Sequence, residues 1–140
     1  MRGLINHIDL TVRDPDASFP FYEAVLGFMG YRCADRHARG FDFDLGEHGG
    51  GFCSIGIMRA EGKGADRPHD RYSPGLHHLA WTAESRADVD ALHALLRRIG
   101  ATVLDPPADY PRYGAGYYAV FFADPDGLKL EYVHWPAERR

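Results

Sequence analysis

Apolar and polar residues alternate from position 5 to 13, with Ile8, Leu10 and Val12 on one side of an extended segment and His7, Asp9 and Thr11 on the other. A period of two predicts a strand with one buried face. Asp14-Pro15 then supplies a side-chain acceptor and a residue with no N–H to leave unpaired, a helix-start signal. Phe19, Tyr22, Val25 and Leu26 recur at helical spacing, with Gly27 as the expected stop. Pro20 leaves a second reading open, a shorter helix capped by Ser18, because an interior proline costs about 3 kcal/mol. Strand-like pieces follow at 29–34, 40–45 and 52–58, punctuated by Gly49-Gly50-Gly51.

From Arg59 to Pro74 apolar periodicity gives way to Gly, Pro and charge, and the order then repeats. Residues 76–83 alternate again, with Leu79, Trp81 and Ala83 opposite His78, Ala80 and Thr82. Ser85, with Asp88 three residues on, caps a stripe of Val89, Leu92, Leu95, Leu96 and Ile99 that closes on Arg97-Arg98 and Gly100. Strands are expected at 102–104, 117–123 and 128–135, with a Pro- and Tyr-rich loop from Asp105 to Gly116. Asp124-Pro125-Asp126-Gly127 between two apolar runs predicts the last hairpin.

The pattern is therefore strand, helix, three strands, twice over. His7 and His78 occupy equivalent places, and so do the helix starts Asp14 and Ser85. The fold class is α+β: two tandem βαβββ modules, one at 4–60 and one at 75–135, joined by a linker at 61–74 within a single domain of residues 1–140. One sheet face of each module is buried under its helix; the other carries polar groups. Two such sheets side by side predict a curved mixed sheet, an open bowl with a polar lining.

Composition narrows the function without choosing it. The 140 residues are 45% hydrophobic, enough for one well-packed domain. Lys and Arg number 16 against 20 Asp and Glu, scattered for a formal charge of −4, so neither nucleic acid nor a membrane surface is an expected partner. No apolar run approaches the ~20 residues that cross a bilayer, and the N-terminus leads into a strand without a signal-peptide core; a cytoplasmic location is expected. Cys33 and Cys53 lack metal-knuckle spacing and are expected to be free thiols.

Glu131 is the anomaly of the last strand, a carboxylate between Leu130 and Tyr132. A buried charge without a partner is costly, so either its face is wet or a cation stands there. By strand parity His7, His78 and Glu131 all lie on the face away from the helices. Two imidazoles and a carboxylate suit Fe, Mn, Ni, Co or Zn as one divalent ion. Taken singly, each is more often an ordinary hydrogen-bonded or solvated side chain. The neighbouring His77 has the opposite parity.

His7-Ile8, the run 21–28 from Phe21 to Phe28, Gly75 to Ala80, and Asp124-Pro125-Asp126-Gly127 leading to Glu131 together resemble the vicinal oxygen chelate superfamily, which includes glyoxalase I, bleomycin and fosfomycin resistance proteins and extradiol dioxygenases. The resemblance covers nearly the whole chain. It implies paired βαβββ modules and a metal held by His7, His78 and Glu131, which stabilises an enolate or oxyanion of a substrate with vicinal oxygens or activates dioxygen. It also implies a homodimer. Glyoxalase I usually adds a fourth ligand, a Glu on the last strand of the first module, where this chain has Gly56. A three-ligand site is what remains.

The expected function is that of a metal-dependent enzyme with lyase, isomerase or dioxygenase chemistry on a small substrate. The alternative is a non-catalytic module that binds and sequesters an antibiotic-type molecule, although such a module needs no ligand triad. Glu131 and Asp9 are the catalytic candidates; Asp9 serves either as general base or as the group that orients His7. Arg112, Tyr113 and Tyr118, with Tyr110 and Tyr117, either contact substrate or pack as ordinary loop and strand residues. Arg59, Lys63 and Arg67 either meet an anionic substrate or are solvated.

Overall fold

In the computed structural model, which describes residues 2–48 and 51–136, the chain divides into two units, Met1–Arg67 and Pro68–Arg140. Gly49 and Gly50 of the glycine triplet lie outside the described residues. The first unit runs β1 (His7–Val12), α1 (Pro15–Phe28), β2 (Arg32–His37), β3 (Gly40–His48) and β4 (Gly51–Arg59). The second runs β5 (Leu79–Thr82), α2 (Arg86–Arg98), β6 (Thr102–Asp109), β7 (Tyr118–Ala123) and β8 (Lys129–His134). Each unit is a βαβββ module with a four-stranded mixed sheet, ordered β1-β4-β3-β2 in the first and β5-β8-β7-β6 in the second. The first strand lies parallel to the last in both.

Parity decides what each sheet buries. In the first unit Leu10 pairs with Ile57, Ile57 with Phe41, and Ile55 with Phe43; these side chains are buried with Tyr22, Val25 and Leu26 of α1. Phe19 of α1 packs its ring 4.5 Å from that of Phe41. The opposite face carries His7, Asp9 and Thr11 on β1, and Ser54, Gly56 and Met58 beside them on β4. In the second unit Val89, Leu92 and Leu96 of α2 are buried with Val120, Phe122, Leu130 and Tyr132. Glu131, one residue from Leu130 and Tyr132, points the other way.

Both helices end by the same device. In α1, Gly30 takes φ +94°, its N–H donates to Gly27 O and the Tyr31 N–H to Leu26 O. In α2, Gly100 takes φ +71°, donating to Arg97 O, while the Ala101 N–H donates to Leu96 O. These crossed bonds satisfy carbonyls that would otherwise be orphaned, and the left-handed residue is a glycine because it lacks a Cβ. The stop of α1 is thus Gly30 and not Gly27, which stays within the helix. At the start, Asp14 accepts the Asp16 N–H at 3.0 Å and the helix passes through Pro20 unbroken. Ser18 is a buried interior residue and not a cap. Pro20 is exposed; the buried Phe21, Tyr22, Val25 and Leu26, each contributing about 1.5–3 kcal/mol, outweigh its cost of about 3 kcal/mol.

In the second helix Ser85 Oγ accepts the Asp88 N–H at 3.1 Å, and Asp88 Oδ2 accepts the N–H of Glu84 at 3.0 Å. The same Oδ2 accepts the hydroxyl of Tyr132 at 2.5 Å, which ties the helix start to β8. Strand β6 continues through Asp109, where a loop was expected from Asp105. It is an edge strand, and its register slips between Asp105 and Ala108, so Pro106 and Pro107 sit where no ladder hydrogen bond is required. At the β7–β8 turn, Asp124 Oδ1 accepts from the N–H groups of Asp126 and Leu128, and Gly127 takes φ +85°.

Ser85→Ala and Gly100→Ala should each cost about 1 kcal/mol, read as a lower urea midpoint with an unchanged m-value. No Cβ contact awaits at Gly100, so its loss is purely conformational; an unchanged midpoint would remove that cap from the account. Burial first, and the bond to Asp88 second, hold the Tyr132 phenol well above the ordinary 10.0. A proton held more tightly in the folded state gives stability that is complete below the ordinary value and lost as pH rises through it towards the folded value. Urea titrations between pH 8 and 11 should therefore find Tyr132→Phe losing less stability above pH 10 than the parent protein, and equal losses would contradict this.

Candidate metal centre

The second unit brings Glu131 and His78 together. Glu131 is 2% exposed, and its Oε2 stands 3.2 Å from His78 Nε2. Glu131 Oε1 accepts a short hydrogen bond from the Tyr117 hydroxyl. Across the sheet Glu131 lies between Ala80 on β5 and Phe121 on β7. The carboxylate therefore has a phenol on one oxygen and an imidazole on the other, the polar partnership that a buried charge requires. His78 immediately precedes β5 and is partly exposed. Its Nδ1 lies 2.8 Å from Nδ1 of His77, whose ring extends the contact to Tyr72. Loss of solvation, followed by the charges of His78, Lys129, Arg71 and His69, lowers the pKa of His77.

Tyr117 reaches Glu131 because its loop is tightly folded. The Tyr113 N–H donates to Tyr110 O, that of Tyr117 to Gly114 O, and that of Tyr110 to Tyr117 O. Gly114 passes so close beneath Trp135 that a Cβ there would meet the indole Nε1 at 2.8 Å. The ring of Tyr117 packs against those of Tyr113 at 5.3 Å and Trp135 at 5.2 Å, and Tyr110 meets Phe121 edge-on at 5.3 Å. Burial, then the bond to Glu131 and its charge, raise the Tyr117 pKa well above 10.0. The phenol thus keeps its proton at neutral pH and donates it to Oε1, leaving Oε2 to face His78.

Arg112 donates to the Tyr113 hydroxyl at 2.9 Å and lies over that ring, on the same loop as Tyr117. Tyr118 is different. Its hydroxyl donates to Asp90 of α2 at 2.6 Å, and Arg86 covers its ring at 3.9 Å, so it faces the helix with Val120 and Phe122. Strand alternation sets that outcome: neighbours on β7 point to opposite faces, and Tyr118 takes the face away from Glu131. The tyrosine that meets the carboxylate is its neighbour, Tyr117.

In the first unit His7 is exposed, with Nδ1 2.9 Å from Asn6 Oδ1. An amide oxygen that accepts from Nδ1–H fixes the tautomer with a lone pair on Nε2, the arrangement usual for a metal-binding imidazole. Asp9 follows on the same face. A Cβ on Gly56 would lie 2.2 Å from Asp9 Oδ1, so the carboxylate of Asp9 fills the space above this glycine. Any side chain at position 56, a ligand Glu included, first has to displace Asp9. Asn6 has no sequence signal of its own and is found by its contact with His7; Tyr117, expected either to contact substrate or to pack, is found to donate to Glu131.

The donor chemistry of His78 and Glu131 fits a divalent transition ion. Two donors each about 2.1 Å from one ion stand about 3.0–3.4 Å apart at octahedral or tetrahedral angles. Among the described residues no three His, Cys, Asp or Glu side chains are grouped ready to hold a metal. His78 and Glu131 are the pair within the second unit, and His7 belongs to the first. Nor is any helix of the described residues long and apolar enough to cross a membrane.

The family model described as Glyoxalase/Bleomycin resistance protein/Dioxygenase superfamily matches residues 4–132. The uncharacterized protein YqjT of Bacillus subtilis (strain 168) is 32% identical over 129 residues, which span 92% of this chain and 97% of YqjT. Among solved structures, a Bacillus halodurans protein assigned to the glyoxalases matches with a TM-score of 0.78 at 29% identity, covering 96% of this chain and 97% of that one. The fosfomycin resistance protein FosX of Listeria monocytogenes gives 0.70 at 18% identity, over 100% and 99% of the two chains. Lactoylglutathione lyase of Agrobacterium tumefaciens gives 0.64 at 19%, over 96% and 94%. These last two are likenesses of fold. The family match runs through both βαβββ modules and ends one residue beyond Glu131, and by it the chain belongs to the Glyoxalase/Bleomycin resistance protein/Dioxygenase superfamily.

Proposed function

We propose that the protein is a metal-dependent enzyme that acts on a small substrate with vicinal oxygens, by lyase, isomerase or dioxygenase chemistry. The observation that carries this reading is the buried Glu131 carboxylate with an imidazole 3.2 Å from one oxygen and a phenol on the other. A solvated glutamate needs neither, and the imidazole stands at the spacing of two donors to one ion. His7, His78 and Glu131 would hold one divalent ion, Fe, Mn, Ni, Co or Zn. Bound there, the ion supplies Lewis acidity towards adjacent substrate oxygens.

The chain's own residues have separable duties. Tyr117 keeps Glu131 in one orientation by donating to Oε1, and Asn6 does the same for His7 through Nδ1. Asp9, two residues from His7 on the same face and held over Gly56, is the general base of this reading; its carboxylate takes the place that a longer side chain from β4 would fill. Tyr113 and Arg112, on the loop that carries Tyr117, are the substrate-side contacts. FosX, named for fosfomycin resistance, and lactoylglutathione lyase share the fold, a likeness of architecture alone. The working form is a homodimer in which His7 comes from one chain and His78 with Glu131 from the other.

Metal analysis of untagged protein should give about one divalent transition ion per chain. His78→Ala should remove most of it and His77→Ala should not, because only His78 Nε2 faces Glu131; equal retention in both variants would sink the assignment. Shared sites have their own signature. A His7→Ala chain mixed with a Glu131→Ala chain should recover up to half the parent's metal in heterodimers, each with one intact site, while neither variant holds metal alone. No recovery after verified subunit exchange would mean that each site is built within one chain.

A further inference from the structure

We infer that His77 is the positioning residue of His78, holding the ring of that candidate ligand through a hydrogen bond between the two Nδ1 atoms, and that it does in the second module what Asn6 does in the first. This rests on the reading that His78 holds a metal with Glu131. Ile8 pairs with Ile55 of β4 and Leu79 with Leu130 of β8, so His7 and His78 each stand one residue before matched positions, with Asn6 and His77 one residue earlier still. In both modules the residue just before the candidate ligand reaches that ligand's Nδ1. Asn6 Oδ1 lies 2.9 Å from His7 Nδ1, and His77 Nδ1 lies 2.8 Å from His78 Nδ1. An amide and an imidazole thus meet the same ring nitrogen and leave Nε2 to act as the ligand atom.

Two neighbours within a strand point to opposite faces and cannot meet in this way. His77 and His78 both precede Leu79, where β5 begins, so alternation does not separate them. Their rings stand 5.0 Å apart at 75°. On its far side the His77 ring meets Tyr72 edge-on at 5.8 Å. Tyr72 is itself held twice, by its N–H donating to Asp70 Oδ1 at 3.0 Å and by its hydroxyl accepting from Arg71 Nη2 at 2.9 Å.

An imidazole at position 77 has a property that the second module needs. Without an ion, His78 Nε2 at 3.2 Å from the Glu131 carboxylate is best placed as a donor, so its Nδ1 accepts and His77 Nδ1 donates. With an ion between Nε2 and Oε2, the Nε2 lone pair is taken up, the proton of His78 sits on Nδ1, and His77 Nδ1 accepts. A neutral imidazole meets both demands by carrying its proton on either nitrogen. The change is balanced: His78 loses the proton on Nε2 and gains one on Nδ1, His77 does the reverse with solvent as the carrier, and both rings stay neutral. An amide meets the same two demands by turning over, whereas a methyl group meets neither. Since His77 is exposed and water competes for its bond, the role is visible in metal affinity and not in stability.

The test uses the full chain with nitrogen-15 in its imidazoles, metal-free and loaded with zinc. A coupling between the two Nδ1 nuclei across the hydrogen bond is expected in both states, with the shared proton on His77 in metal-free protein and on His78 in the zinc form. His77→Ala should weaken zinc binding by about tenfold while still filling at excess metal, and His77→Asn should return it to within about twofold of the parent. Both variants should keep the parent's urea midpoint. Absence of the coupling in either state, parent-like zinc affinity in His77→Ala, or a His77→Asn variant as weak as His77→Ala overturns the inference. Metal-free protein that shows the coupling and takes up no zinc rejects the metal-dependent reading instead, and leaves the hold of His77 on the His78 ring in place.

Discussion

Burying the carboxylate of Glu131 is the constraint around which the second unit is arranged. An unpaired charge at 2% exposure would cost several kcal/mol, so its neighbours have to be polar and well aimed. Tyr117 meets one oxygen only because its loop folds back beneath Trp135, with a glycine at the point of closest approach. His78 meets the other from the end of the connecting segment, before β5 begins. Turn chemistry, aromatic packing and strand parity thus converge on a single functional group.

The first unit has the same plan with a different emphasis. Its candidate ligand, His7, is exposed and held by a neighbouring amide, and the sheet face beside it carries small residues, Ser54 and Gly56, in place of a second buried acid. Asp9 leans into the space this leaves. The two modules thus differ on the face away from the helices and agree at the helix ends, where Gly30 and Gly100 close the same pair of crossed hydrogen bonds.

Much of this was legible in the chain because two periods dominate it. Alternation placed His7, Asp9 and Glu131 on the faces away from the helices, and the stripe of Val89, Leu92 and Leu96 located α2 with its Ser85 cap. What was not legible depended on competition between local and tertiary terms. Pro20 speaks for a break that buried aromatic packing overrides, and Pro106-Pro107 speaks for a loop that an edge strand absorbs as a register shift. Tyr117 and Tyr118 are adjacent tyrosines with identical chemistry; the register that sets Phe121 opposite Glu131 determines which of them meets the carboxylate. His69 Nδ1 and Arg71 Nε, buried without a hydrogen-bond partner among the described residues, lie in a stretch whose composition resembles a solvated connection, and no periodicity marks them.

Strand β8 is held from both sides at consecutive residues, by Tyr117 acting on Glu131 in front and by the Asp88 cap acting on Tyr132 behind. A chain that zipped this hairpin one residue out of step would drive the carboxylate into the leucines of α2 and push the phenol towards Tyr117, losing both hydrogen bonds together. The polar pair thus works as a check on folding as well as a part of the site: misaligned hairpins are penalised twice, and the turn at Asp124 has only one pairing it can close. A residue proposed for its chemistry is, on this view, also what keeps its own strand in register.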